Sequence, residues 1–240
     1  MILPYLDKKE LYEKLSPNQQ YSLREALGQE ELQSIAKSTN ENFVCPVDAS
    51  LDEENPDRLL DPGGLDFSAA RANYVASTGV TRTAGQGVFF LHSRIRFRDI
   101  KDGSSNVFLL GERTSGDAAN TGRHGASVWI GVTATKAWDA GLPSDAESTL
   151  YGTTAVEMQT GKKLTGRPGF APRLGFSSDH TWRNKAACFL MADGTVKKIN
   201  PDIDSRIGKD PSDTDGWGVY QLLSSRSDGK RIPESAFRNR

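Results

Sequence analysis

Three histidines, His92, His124 and His180, are the only imidazoles in the chain, so histidine-based acid–base or nucleophilic chemistry has few places to sit. None belongs to a Gly-x-Ser-x-Gly elbow, a His-Glu-x-x-His helix or a Gly-x-Gly-x-x-Gly turn, because the sequence contains none of these. Ser178, Asp179 and His180 are consecutive, and three neighbours on one backbone do not converge on a point as a nucleophile, base and orienting acid must. Gly161 to Gly166 has the glycine spacing of a phosphate loop but continues Arg167-Pro168, without the lysine and the magnesium-binding hydroxyl. Glu112 with Arg113 closes an apolar run ahead of a Gly/Ser/Thr-rich stretch. A catalytic acid is sometimes kept at such a strand end, but the simpler reading of the pair is a structural ion pair.

Metal and redox chemistry are similarly restricted. Cys45 and Cys188 are the two cysteines, and neither has a close Cys or His neighbour in sequence, so the clustered spacing of a zinc site is absent. A disulfide between them requires an oxidising compartment, and two buried thiols are the alternative. Asp210, Asp213 and Asp215 precede Gly216 in the manner of a calcium loop. The register fails: with Gly216 at the sixth position, Pro211 stands at the first and Leu222 at the twelfth, where carboxylates belong. A helix-capping acidic loop is the plainer reading, with a calcium site of another type left open and no other cofactor indicated. The acidic stretch Asp48, Asp52, Glu53, Glu54, Asp57 reads the same way.

The elements that would position these residues begin with helices. Asp7 and Glu10 have the spacing of a capping box before Leu11 and Tyr12, and Ser16-Pro17 reads as an N-cap with proline in the first turn. The second helix carries Tyr21, Leu23, Ala26 and Leu27, then Leu32, Ile35 and Ala36 beyond Gly28, where it should break or kink. Residues 45–64 turn to Pro, Asp, Asn and Gly and read as an irregular loop. Strand-like runs then follow at 73–77, 87–91, 106–112, 127–132, 186–191 and 195–199. Asp193-Gly194 predicts a hairpin with a type I′ turn, in which both central residues take positive φ. Residues 114–126 and 133–175 are long insertions on the sheet, and a last helix from Gly216 to Ser225 offers Trp217, Tyr220, Leu222 and Leu223 for packing.

Composition narrows the function classes. The chain has 240 residues, 25% charged and 36% apolar, with a formal net charge of −1. That balance suits a globular protein with a core and gives no basic field for nucleic acid or anionic lipid. Apolar runs such as 88–91 and 107–110 fall far short of the roughly 20 residues that span a bilayer. With no signal peptide at Met1-Ile2-Leu3-Pro4, the literal reading is a cytoplasmic chain. The expected fold class is α+β: an antiparallel-rich sheet with N-terminal helices and long loop insertions, all in one domain over 1–240 (helical 1–40, loop 45–64, sheet and insertions 70–200, C-terminal helix and tail 201–240).

Several segments together resemble a large planctomycete family of unknown function, DUF1559, whose members are prepilin-like, similar to the pseudopilin G type, and carry a His-(nine residues)-Asp-Gly motif. The resemblance lies in Leu3-Pro4-Tyr5-Leu6-Asp7 with Leu11-Tyr12, in Phe43 to Asp48 with Cys45 and Pro46, and in Asn73-Tyr74-Val75 with Gly79. It continues through Gly87 to Phe90, then Ile95 to Asn106 with Asp102 and Gly103, and Gly111-Glu112-Arg113. Phe176 to His180 and Phe189 to Val196, with Asp193-Gly194, close the pattern, and Tyr220 to Arg226 is similar to the family's tail. Twelve residues rather than nine separate His180 from Asp193, with Trp182-Arg-Asn-Lys after the histidine, which weakens any shared role for His180.

Family members usually begin with a prepilin signature and a long apolar helix, and this sequence starts downstream of such a segment. The resemblance therefore implies an exported, anchored protein of the cell envelope, against the literal cytoplasmic reading. It implies a pilin-like globular head that catalyses no reaction and whose partners are other pilin-like subunits or envelope proteins. The membrane would be met only through the helix outside this sequence. Two rival readings follow from the residues: a solute- or carbohydrate-binding module lined by Trp129, Trp138 and Trp182, and a hydrolase using Glu112 or His180.

Overall fold

The computed structural model describes residues 2–15, 25, 28–46, 55–60, 66–80, 85–90, 93–113, 127–130, 151–154, 159–160, 176–178, 186–200, 202–207 and 213–233. A 3-10 turn, Leu3–Leu6, leads into helix α1, Lys9–Leu15, followed by α2, Glu30–Lys37. The strands are β1 Asn55–Leu60, β2 Asp66–Ala69, β3 Arg71–Ala72, β4 Tyr74–Gly79, β5 Phe108–Glu112 and β6 Ser127–Val128. After them come β7 Tyr151–Thr153, β8 Gln159–Thr160, β9 Ser177–Ser178, β10 Ala187–Met191 and β11 Val196–Ile199, and a short helix α3, Val219–Leu222. The fold is α+β, as the sequence predicts.

The central sheet has the order β11-β10-β5-β4-β7, antiparallel throughout except for the parallel β4–β7 pair. Alternation along β10 sends Ala187, Phe189 and Met191 into the core and leaves Cys188 and Leu190 half-buried on the other face. Against the core face pack Val75, Phe108, Phe176, Ile199, Tyr220 and Leu223. The Phe108 and Phe189 rings stack at 4.1 Å, and Phe176 and Tyr220 tilt against them. Gly111 lies directly beneath: a Cβ there would stand 2.3 Å from Phe176 and 2.6 Å from Phe189. The glycine is required by close approach, not by its dihedral angles.

A second core gathers the chain's beginning. Leu32 and Ala36, one helical turn apart on α2, pack with Leu3, Leu15, Ala69, Val128 and Ile130. Glu30 and Glu31 in the first turn of α2 and Lys37 in its last complement the helix dipole. The amide of Ala70 donates to the carbonyl of Ala36 at 2.9 Å, joining helix to strand.

Several local expectations are corrected. Asp7 does not head a capping box for α1; it ends the preceding 3-10 turn in the left-handed conformation, φ 56°, with its amide on Leu3 O. The loop read over 45–64 contains β1, which pairs antiparallel with β2. Residues 87–90 form no strand: the amides of Gly87 and Phe89 donate to the consecutive carbonyls of Thr78 and Ser77, a spacing that no ladder has. Gly87 is pressed so closely on Thr78 and Gly79 that a Cβ would fall 2.3 Å from backbone. The Asp193-Gly194 hairpin is present, but its loop has three residues, Ala192 to Gly194, between Met191 and Thr195. Gly194 alone takes positive φ, 85°, which makes this a turn with a glycine bulge in place of type I′. The final helix is a single turn, after a 3-10 turn at Thr214–Gly216. No helix among the described residues is long and apolar enough to cross a membrane.

Candidate functional site

Two polar nodes assemble from the residues singled out in sequence. The first is buried around Asn73, which is 1% exposed. Its Oδ1 accepts the amide of Cys45 at 2.8 Å, and its Nδ2 donates to the carbonyl of Arg113 at 3.0 Å. Its own amide donates to Phe43 O and its carbonyl accepts the amide of Arg113, so this one residue joins three chain segments. The next residue, Tyr74, stands opposite Glu112 in the β4–β5 ladder. Glu112 is buried, and its Oε2 accepts the amide of Cys188 at 2.7 Å. Cys188 in turn faces Lys198 on β11. A phenol, a carboxylate, a thiol and an ammonium thus form one row across four strands, because residues opposite one another share a face.

The surroundings disfavour ionisation of the phenol and the thiol in that row. Burial pushes the Tyr74 phenol up, and Cys45, Glu112 and Cys188 each add to this. Burial is also the first cause for the raised Cys188 thiol, followed by the Glu112 carboxylate, with Lys198 opposing and Cys45 adding to the rise. Arg113 is fully buried, and its charge opposes the strong upward push that burial gives the Tyr220 phenol in the sheet core. Glu112 thus holds the Cys188 amide, and the charge of Arg113 is felt at the Tyr220 phenol.

The second node lies at the surface. Asp102 accepts the amides of Asp228 and Gly229 at 2.7 and 2.9 Å, while the amides of Lys101 and Asp102 donate to Arg226 O. Gly103 takes φ 93° and opens the 3-10 turn Ser104–Asn106, whose Asn106 donates from Nδ2 to Asp102 O. The β10–β11 turn docks here: Asp193 donates its amide to Ser104 O, and Lys197 Nζ reaches Ser105 O at 2.6 Å. Asp193 also accepts the amide and hydroxyl of Thr195, which hold its carboxyl below the usual range. Arg226 spans outward, its guanidinium donating to Gly85 O and Gly87 O and lying 5.6 Å over the Phe90 ring. Burial, with a further contribution from Asp102, pushes the Asp228 carboxyl up to about 6.

The remaining candidates are placed separately. Pro46 is exposed beside Cys45. Asp213 accepts the amide of Asp215 as a turn cap, and Asp215 pairs with Lys230, which lowers its carboxyl. Trp129 donates to Ser38 O, stacks on Phe43 and packs against the N-terminal core. Asp48, His180, Asp210, Trp138 and Trp182 lie outside the described residues. Among the described residues no three His, Cys, Asp or Glu side chains are grouped to hold a metal ion. Sequence reasoning does not reach Arg226 and Asp228 as site residues, because nothing local ties them to Asp102.

Many residues of both nodes lie in the segments singled out in sequence, and most of these fall within a stretch that a known family matches. The family described as "Protein of unknown function (DUF1559)" matches residues 1–206. The chain belongs to that family. No curated protein and no solved structure matches it. The DUF1559 match stops before Trp217, Tyr220 and Leu223, yet these are buried, and the amide of Phe108 donates to Leu223 O at 2.8 Å. The core against this chain's central sheet is thus closed by residues beyond the matched region.

Proposed function

We propose that this DUF1559 protein is a non-enzymatic, pseudopilin-like structural or assembly component of the cell envelope, which meets its partners through the second face of its central sheet. The observation that carries this reading is an apolar row beside the Tyr74–Glu112–Cys188–Lys198 row. Ala76, Leu110, Leu190 and Val196 stand opposite one another across β4, β5, β10 and β11. The first three are half-buried, and Val196 is 66% exposed. A sheet face of this composition suits the apolar stripe of a helix, as the pilin-like subunits implied by the family resemblance would offer. The polar row alongside supports a non-catalytic role: Glu112 is engaged with a backbone amide, and a thiol with a raised pKa is the reverse of an activated nucleophile. The reading invokes no cofactor and no nucleic acid.

The test is a photo-crosslinking amino acid placed at Leu190 or Val196 in the source organism, with Glu31, exposed on α2, as the control position. The expected result is recovery of the protein in envelope fractions, with adducts to pilin-like subunits from positions 190 and 196 only. Recovery in the cytosol, or adducts from position 31 alone, would overturn the reading.

A further inference from the structure

The stretch from Arg94 to Lys101 sets the cations Arg94, Arg96, Arg98 and Lys101 around one aromatic residue, Phe97. All of these residues are exposed, Phe97 by 78%. The inward positions belong to Ile95 and Ile100, which pack against Val88, Val107 and Ala192. Between them Phe97 opens a 3-10 turn, Phe97–Asp99. The amides of Asp99 and Ile100 close it on Arg96 O and Phe97 O at 2.8 and 3.1 Å, and the Arg96 amide donates to Asp99 Oδ2 at 2.8 Å. An anchored turn thus presents the ring to solvent.

The neighbouring acids are spent on backbone. Asp99 holds the Arg96 amide, and Asp102 holds the amides of Asp228 and Gly229. Among the described residues none of the four cations is in an ion pair. The net charge of −1 gives the chain no overall field, so any attraction to an anionic partner is local to this strip and acts over about a Debye length.

We propose that Arg94 to Lys101 is a membrane-contact turn that docks the domain on an anionic phospholipid surface. Phe97 enters the boundary between headgroups and acyl chains, while the arginines and Lys101 meet the lipid phosphates. A soluble polyanion would satisfy the cations but leave the ring in water, whereas a bilayer accommodates both. The contact is made by the domain itself, in addition to the one that the family resemblance implies for a helix outside this sequence. It stands apart from the assembly reading, since the turn and the second face of the sheet share no residue.

The experiment floats the full chain with vesicles of phosphatidylglycerol and phosphatidylcholine in equal parts, with vesicles of phosphatidylcholine alone and soluble dextran sulfate as comparisons. The expected result is flotation with the anionic vesicles only, weakening as salt is raised. Phe97→Ala is expected to weaken vesicle binding about tenfold, and Arg94→Gln, Arg96→Gln and Arg98→Gln about fivefold each. Lys37→Gln, at an exposed position on α2, is expected to change nothing. Phe97→Trp is expected to retain binding and to add fluorescence that brominated acyl chains quench. No flotation, equal flotation with phosphatidylcholine, or a loss at Lys37 as large as those in the turn would each overturn the proposal. So would dextran sulfate binding as tight as vesicle binding, with both unchanged by Phe97→Ala, which would assign the strip to a soluble polyanion.

Discussion

The two polar nodes use the same kinds of residue for different physical ends. Around Asn73 and Glu112, both buried, the side chains meet backbone partners in the protein interior. Around Asp102 the carboxylate holds two amides of the C-terminal segment in a half-buried setting, beside an Asp228 carboxyl that burial pushes up to about 6. An unmet polar group costs the most where water cannot replace the lost partner. The first node therefore acts as part of the core, and the second as a clasp whose strength solvent and pH can adjust.

Mutations that separate the two kinds of setting test this contrast. Gly111→Ala forces a methyl into the Phe176 and Phe189 rings and is expected to cost about 3 kcal/mol by overpacking, read by urea denaturation. Asn73→Ala leaves the Cys45 amide and the Arg113 carbonyl without their side-chain partner, for an expected loss of about 2 kcal/mol. Asp102→Ala frees two amides that water can reach in part, and about 1 kcal/mol is expected. Equal losses for Asn73→Ala and Asp102→Ala would erase the distinction between core and clasp.

The smallest effect is the dependence on pH. The Asp228 carboxyl is raised to about 6 in the folded chain, chiefly by burial, so the fold holds that proton more tightly than the unfolded chain does. Its contribution to stability is complete below the ordinary carboxyl range, falls as pH rises from about 4 to about 6, and is lost above that. Thermal midpoints are expected to decline gently over that window and to flatten in Asp228→Asn. Asp193 and Asp215 are shifted the other way, and their contributions vanish only as pH falls through their lowered values. A midpoint that rises between pH 4 and 6 would refute the assignment.

Much of the sheet was legible in sequence. Expected strands near 73–77, 106–112, 186–191 and 195–199 correspond to β4, β5, β10 and β11, because alternating apolar residues bounded by Asn, Asp and Gly bury one face at the strand period. The candidate residues Asn73, Tyr74, Asp102, Glu112, Arg113 and Asp193 were named from the family pattern, but their partners were not. Asn73 joins positions 28 and 40 residues away, and Asp102 holds amides 126 and 127 residues downstream. Local spacing carries no trace of such pairs.

What the sequence by itself determined is the α+β class, the principal strands, the position of the Asp193-Gly194 hairpin and the family, all of which follow from local periodicity, turn residues and short ordered motifs. The tertiary structure alone decided the sheet order, the three-residue form of that hairpin loop and the absence of a strand at 87–90. It also decided the hold of Glu112 on the Cys188 amide, the hold of Asn73 on the Cys45 amide, and the closing of the core by residues past the family match. These depend on which distant backbone groups satisfy one another and on which rings lie above a glycine, and packing, not neighbouring sequence, selects among those arrangements.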